Sequence, residues 1–314
     1  VKDRIIGSAF VSVKPLKDLE VKLQLGVDRS FQKRSSYLPK TTLQGKTKNG
    51  RADISQETST AYLMELTAQY SKNFGDHNVK AIGGYSFQKF KNDGLSAGNE
   101  DFLVDGFGYN SLGSGNYKKP SVGSWASINS IASLFARANY SYKGRYLLEA
   151  TVRADAASNF APENRWGYFP SVSAGWKISG EEFMKDIKVI NLLKLRASWG
   201  MSGNDRIGTA DYIPNYDVTN TVYGGTSQVG VYAKNIANDK LKWETTKAFD
   251  IGFDLSLFNN RVQLNVDYYI NKTDDLLYST KLPAATGFST VKTNLASIEN
   301  KGWEIDLTLS LIHI

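Results

Sequence analysis

Residues 245–273 read TTKAFDIGFDLSLFNNRVQLNVDYYINKT, and their strict period of two constrains the fold more than any other feature of the chain. Phe249, Ile251, Phe253, Leu255 and Leu257 alternate with Asp250, Gly252, Asp254 and Ser256. After Asn259-Asn260 the rhythm resumes with Val262, Leu264, Val266, Tyr268 and Ile270. Successive side chains point to opposite sides in a β-strand, so each half is a strand with one apolar and one polar face. Two asparagines tolerate the positive φ of a tight turn. The spacing predicts a hairpin with strands of about ten residues, the length that crosses a bilayer when tilted.

The same unit recurs along the chain. Leu19, Val21, Leu23, Leu25 and Val27 share one face; Tyr62, Met64, Leu66, Ala68 and Tyr70 share another, and Val79, Ala81, Gly83, Tyr85 and Phe87 follow. A strand through Leu134, Ala136 and Ala138 turns at Lys143-Gly144 and returns through Leu148, Ala150 and Val152. Val172, Ala174 and Trp176, then Leu193, Leu195, Ala197 and Trp199, continue the series. Polar stretches at 29–60, 92–130, 203–241 and 274–290 read as long loops. Residues 179–190 predict one helical turn, with Ser179 as N-cap and Glu182 three residues on. The last strands are expected at 291–298 and 303–308, joined by a turn at Glu299-Asn300-Lys301-Gly302.

Short and long connections alternate through this series. Up-and-down transmembrane barrels have that order, with tight turns on one side and long loops on the other; Greek-key sandwiches mix the two. The expected fold is all-β: an antiparallel up-and-down transmembrane β-barrel, partial, supplying about a dozen strands of a larger barrel. The rival is a soluble β-sheet that turns the same apolar face into its own core. Tyr140, Tyr142, Tyr146, Trp176, Tyr268 and Trp303 stand at strand ends, where an interfacial aromatic girdle would place them. Arg137, Arg153 and Arg196 fall on the polar register, as lumen-facing candidates that pair with other carboxylates or stay hydrated.

Composition enters as a set of exclusions. No run of eighteen apolar residues exists in the 314, which removes transmembrane helices but not strands. Cysteine is absent, so there is no disulfide framework and no thiolate chemistry. The net charge of +7 is spread without a basic run, which argues against nucleic-acid binding. The only histidines are His77, in a short turn, and His313, near the end, so neither a catalytic triad nor a metal cluster is expected and the chain does not read as an enzyme. No cofactor motif is present: Gly83-Gly84 and Gly224-Gly225 lack a phosphate-binding pattern. Glu181-Glu182 and Asp274-Asp275 lie at connections and read as solvated surface. Trp125 and Trp166 are candidates for stacking on a sugar from loops, set against plain loop or girdle packing.

Several stretches resemble the SusC/RagA family of TonB-dependent outer-membrane transporters. They are YSYKGRYLLEA at 140–150, NRWGYFPSVSAGW at 164–176, LKLRASWG at 193–200, LKWETT at 241–246 and NKG at 300–302. Together they cover roughly residues 130–308, in that family's order. The resemblance implies a roughly 22-stranded barrel with a plugged lumen, in the outer membrane of a Gram-negative, Bacteroidetes-like cell. It also implies an N-terminal plug with a TonB box, a SusD-like surface lipoprotein, contact with outer-membrane lipid, and oligosaccharides or peptides as substrates. Siderophore or cobalamin receptor, passive porin and soluble β-rich adhesin stand as alternatives. Residues 1–308 are expected to be barrel without plug or signal peptide, truncated at both ends. The terminal Leu309-Ser310-Leu311-Ile312-His313-Ile314 reads as a non-native, adapter-derived tail.

Overall fold

The computed structural model describes residues 1–116 and 120–310. Its elements are almost all strands: β1 (Lys2–Leu16), β2 (Leu19–Leu38), β3 (Arg51–Phe74), β4 (His77–Glu100), β5 (Ser121–Tyr142), β6 (Tyr146–Ala157), β7 (Trp166–Lys177) and β8 (Ile190–Asn204). Then come β9 (Tyr216–Tyr223), β10 (Thr226–Ala233), β11 (Glu244–Leu257), β12 (Val262–Asp274), β13 (Leu277–Lys281), β14 (Thr290–Asn294) and β15 (Ile298–Leu309). Eleven form one sheet in the order β1-β2-β3-β4-β5-β6-β7-β8-β11-β12-β15, each beside its predecessor in the chain apart from two inserted hairpins, β9–β10 and β13–β14. Among the described residues no helix is long and apolar enough to cross a membrane. His313 and residues 311–314 of the expected tail lie outside the described residues.

The opening hairpin forms as its pattern requires. β11 and β12 pair antiparallel from Thr245↔Asp274 to Leu257↔Val262, closed by a turn in which Phe258, Asn259 and Asn260 all have positive φ. Elsewhere the strands outrun the expectation. β2 reaches Leu38 and β3 begins at Arg51, so the supposed loop at 29–60 shrinks to 39–50. Likewise β4 reaches Glu100 and β5 begins at Ser121. The reason lies in the residues: beyond Phe87 the apolar register of β4 carries Lys89, Lys91 and Asp93, so the strand continues with both faces polar. Without a buried face there is no alternation to read.

Three other expectations are corrected. Ser179 caps nothing; the connection holds two single 3₁₀ turns, Ile178–Gly180 and Glu182–Met184, with Glu181 before the second. Residues 299–302 are no turn but part of β15, paired with β12 through Tyr269↔Gly302 and Asn271↔Asn300. The alternation of connection lengths is broken once, because residues 178–189 between β7 and β8 outnumber residues 158–165 between β6 and β7.

Contacts divide the chain into two compact units. The first comprises Val1–Phe10, Gln24–Met64 and Phe87–Ser130; the second comprises Val11–Leu23, Glu65–Ser86 and the chain from Ile131 onward. In the second unit the registers line up side chains across strands. Ala150, Val172, Trp199, Phe249 and Ile270 form one apolar row, and Leu148, Ala174, Ala197, Ile251, Tyr268 and Trp303 form the next. No second layer covers them: Leu148, Val172 and Ile251 are about half exposed, at 51%, 50% and 49%. Rows facing each other across two stacked sheets would be buried, so the soluble-sheet rival fails here. The buried cluster of this unit sits instead where connections meet: Ala157, Phe160, Phe169, Leu241 and Trp243.

Candidate functional site

The face opposite the apolar rows is polar, and its arginines are already engaged. Arg196 on β8 lies between Gly175 on β7 and Gly252 on β11, with Asp267 of β12 beyond. Its Nε donates to Asp254 at 2.8 Å, Nη2 lies 2.9 Å from Asp267, and Nη1 lies 3.8 Å from Asp250. Lys194 adds a second cation, 3.9 Å from Asp254. Gly252 is what lets the guanidinium reach across β11: a Cβ there would lie 2.6 Å from the Val266 carbonyl and overlap Asp267 Oδ1. Charged side chains clasped in this way hold a polar wall together without a protein core behind it.

Arg153 shows the same behaviour. It sits 2.8 Å from Asp155, donates to Ser133 Oγ at 2.8 Å and lies over the Phe135 ring at 5.7 Å. Arg137, more exposed, donates to Thr151 Oγ1 at 3.2 Å and lies 3.6 Å from Glu149. All three stand on the polar register, each with a partner in its own wall. A depression of about 370 Å³ lies beside Arg196, lined by polar groups such as Glu149, Lys194 and Asp250 together with Leu147, Leu148 and Ala197.

Four of the aromatic candidates, Tyr140, Tyr142, Tyr146 and Trp176, gather at strand ends. Tyr268 and Trp303 are corrected to mid-strand positions in β12 and β15, because β15 begins at Ile298 rather than after a turn at 299–302. Tyr142, Tyr146 and Trp176 are register partners with ring centroids 6.2 and 6.3 Å apart, and Tyr268 meets Trp303 at 4.9 Å. His77 closes the first row: its ring meets Tyr142 at 4.7 Å in a tilted contact, and its Nδ1 lies 2.7 Å from the Tyr140 hydroxyl. Beneath this row, the connection at 178–189 is tied by Glu181, which accepts from Trp176 Nε1 at 3.0 Å and from Arg145 at 2.8 Å. The Trp176 donor, with Tyr146 and Arg145, holds the Glu181 carboxyl below the usual carboxylate range. The Glu181-Glu182 pair is thus an anchor, since Glu182 pairs with Lys185 and Arg145.

The two tryptophan candidates part company. Trp166 opens β7 beside Ala156, on the register of Tyr168 and Val172, which is the apolar face. Trp125 lies on the opposite, polar register of β5, 50% exposed, with its indole across Gly94 of β4. Three features were missed from sequence. Asp250, Asp254 and Asp267 read only as the polar half of a pattern, although Asp250 and Asp254 share the Arg196 face. The β9–β10 hairpin was hidden inside a loop; Val218, Val222, Val229 and Val231 leave it with exposed apolar side chains. In the first unit, Phe102 is buried against Tyr37 at 5.7 Å, and the Tyr37 hydroxyl donates to Asp105 at 2.5 Å.

Against this geometry, the profile described as TonB dependent receptor-like, beta-barrel, matches residues 16–312. The chain belongs to the TonB-dependent receptor β-barrel family. A curated relative, TonB-dependent receptor P3 of Formosa agariphila, is 37% identical over 97% of this chain and 30% of its own length. TonB-dependent receptor SusC of Bacteroides thetaiotaomicron is 36% identical over 77% of this chain and 24% of its own length. Among solved structures, the RagAB peptide transporter superposes with a TM-score of 0.86 at 25% identity, covering 97% of this chain and 34% of that one. The siderophore receptor PiuA from Acinetobacter baumannii shares the fold alone, at TM-score 0.59 and 12% identity over 99% of this chain and 45% of that one. The SusC/RagA resemblance read from the motifs is therefore borne out. The chain spans less than a third of the length of these curated relatives.

The same family motifs now have structural meaning. NRWGYFPS and LKWE supply Phe169 and Trp243 to the buried cluster, where Trp243 Nε1 donates to the Arg165 carbonyl at 2.8 Å. LKLRASWG places Arg196 on one face and Trp199 on the other.

Proposed function

We propose that this chain forms part of the wall of an outer-membrane, TonB-dependent importer of the SusC type. In this reading the half-exposed rows of Leu148, Val172, Trp199 and Ile251 face lipid, and the clasped polar face turns toward an enclosed interior. That exposure carries the proposal: an apolar surface this continuous and uncovered belongs against hydrocarbon, not water. A plug with a TonB box fills the interior, and a SusD-like lipoprotein closes the outer side. The uncovered hairpin β9–β10 is the proposed contact for that lipoprotein. The cargo is an oligomeric nutrient, oligosaccharide or peptide. No enzymatic step is assigned.

The test is uptake by cells carrying the full-length receptor. Accumulation of oligomer should stop with a protonophore and with removal of the TonB box, and should fall when the lipoprotein gene is deleted. Uptake indifferent to proton-motive force would make the protein a passive pore and overturn the reading.

A further inference from the structure

In the first unit, three rows of the polar face run across β2 to β5, and none of their residues takes part in the ion-paired wall described above. Gly98 on β4 faces Asp53 on β3 and Ser121 on β5: a Cβ there would lie 2.5 Å from Asp53 Oδ1 and 2.8 Å from Ser121 Oγ. Two residues back, Gly123 faces Ser96, whose hydroxyl would lie 3.2 Å from an added Cβ. Two further back, Gly94 faces Trp125. With β3 and β4 joined at Gly75-Asp76, the same spacing sets Ser55 beside Ser96 and Glu57 beside Gly94. One glycine in each β4–β5 pair thus keeps the surface low, and a pocket of about 450 Å³ opens over it, lined by Arg34, Ser36, Asp53, Ser55, Ser96 and Ser121. That volume is within the range of about 300–1,000 Å³ typical of small-ligand sites.

We propose that this surface is a subsite for a neutral sugar ring, with Trp125 as its stacking platform and the serine-lined pocket beside it as the hydroxyl-binding part. Gly94 is the seat of the platform. A Cβ at that position would lie 2.5 Å from Trp125 Nε1 and 2.7 Å from Cε2, so only glycine lets the indole settle on the strand. Half of the side chain stays open, and its Nε1–H has no hydrogen-bond partner among the described residues. The C–H groups of a pyranose carry partial positive charge and meet the negative face of an indole favourably.

The pocket supplies the complementary chemistry. Ser36, Ser55 and Ser96 hydroxyls have no partner among the described residues, and each can both donate and accept, as a sugar hydroxyl does. Arg51 holds Asp53 through two bonds at 2.7 and 2.9 Å, which fixes that carboxylate as a rigid acceptor. Arg51 also lies 3.2 Å from Glu100, so the guanidinium beside Asp53 is already shared between two carboxylates. A peptide finds little purchase: β2, β3, β4 and β5 are each paired on both sides, leaving no edge for it to extend.

This inference rests on the import reading for its cargo, but its test does not depend on transport. Full-length receptor in detergent is titrated calorimetrically with neutral gluco-, manno- and galacto-oligosaccharides, acidic uronate oligomers and uncharged peptides of similar length. At least one neutral oligosaccharide should bind. Trp125→Ala should weaken it about 10-fold, a loss of about 1.4 kcal/mol, and Trp125→Phe clearly less. Gly94→Leu, which displaces the indole, should match Trp125→Ala, and Ser96→Val should weaken binding without touching the platform. Unchanged affinity in Trp125→Ala overturns the proposal, as does binding of peptides or uronates only, or of no neutral saccharide. Loss of energy-dependent uptake with calorimetric binding intact would fault the import reading alone.

Discussion

The two units use the same strands in opposite ways. In the second unit, β5 to β8 with β11 and β12 alternate strictly: apolar rows lie bare on one face and ion pairs hold the other. In the first, the continuations of β2 to β5 are mostly polar on both faces, with Leu95, Val122 and Ile128 as scattered exposed exceptions, and cohesion comes from backbone ladders and a few anchored side chains. A sheet with one bare apolar face needs hydrocarbon on it; a sheet with two wet faces needs only water. The comparison teaches that strand length and membrane span differ here, because β4 runs to Glu100 while its apolar register ends at Phe87.

The largest effect should come from placing a charge on equivalent outward positions of the two units. Val172→Arg sets a guanidinium in the middle of a bare apolar row and should cost about 2–4 kcal/mol in a bilayer. Leu95→Arg, equally exposed at 50% but flanked by Lys91 and Asp93, should change stability by no more than about 0.5 kcal/mol. Urea unfolding of the full-length receptor in lipid vesicles measures both. Equal costs would erase the distinction drawn between the units.

The next contrast is between arginines. Arg196→Ala removes the shared partner of Asp250, Asp254 and Asp267 and should destabilise by about 1.5–3 kcal/mol, the range for bonds to charged groups. Adding Asp254→Asn to that variant should restore part of the loss, because one uncompensated charge goes. Arg51→Ala on the wetter surface, where the guanidinium is more open, should cost less than about 1 kcal/mol. A larger loss at Arg51 than at Arg196 would reverse the ordering.

Legibility in the sequence follows this same divide. Strands with one apolar face announced themselves, and so did the β11–β12 turn, because Asn259-Asn260 suits positive φ. The extensions at 29–38, 51–60, 92–100 and 121–130 were read as loops, since serine, lysine and glycine on both faces leave no period to detect. β9–β10 escaped for a related reason: its short strands sit in a long polar stretch. The polar register of Arg137, Arg153 and Arg196 was readable, but their partners were not. Pairing across strands depends on register, which puts Arg196 of β8 within reach of Asp267 two strands away only because Gly252 stands between.

A smaller, pH-dependent contrast lies at the connections. Glu181 titrates below its ordinary value of 4.5 in the folded protein, through Trp176 Nε1 first and then Tyr146 and Arg145. A depressed carboxylate contributes stability that is present above its unfolded value and is lost as pH falls through the folded one. Below about pH 4.5 the connection at 178–189 should therefore loosen, seen as faster amide exchange there. Glu181→Gln should flatten that acid dependence while leaving exchange in the first unit unchanged. An unaltered acid profile in Glu181→Gln would assign the anchoring to other groups.

The smallest effect is expected where the first unit pins its own connections. Phe102 is almost fully buried beside Tyr37, and the Tyr37 hydroxyl donates to Asp105. Burial first, then the bond to Asp105, pushes the Tyr37 hydroxyl up to about 12, so it keeps its proton and donates throughout the physiological range. Tyr37→Phe keeps the ring against Phe102 and deletes only this donor, which should cost about 0.5–1.5 kcal/mol. The loss should be local, because the connection at 101–116 is also held by Asn99 Nδ2, donating to the Leu112 and Gly115 carbonyls at 2.9 and 3.0 Å. Amide exchange at 105–110 should rise while the strands of both units keep their protection. Exchange spreading into β4 and β5 would mean that the wet extension depends on this one anchor, and that its ladders alone do not hold it.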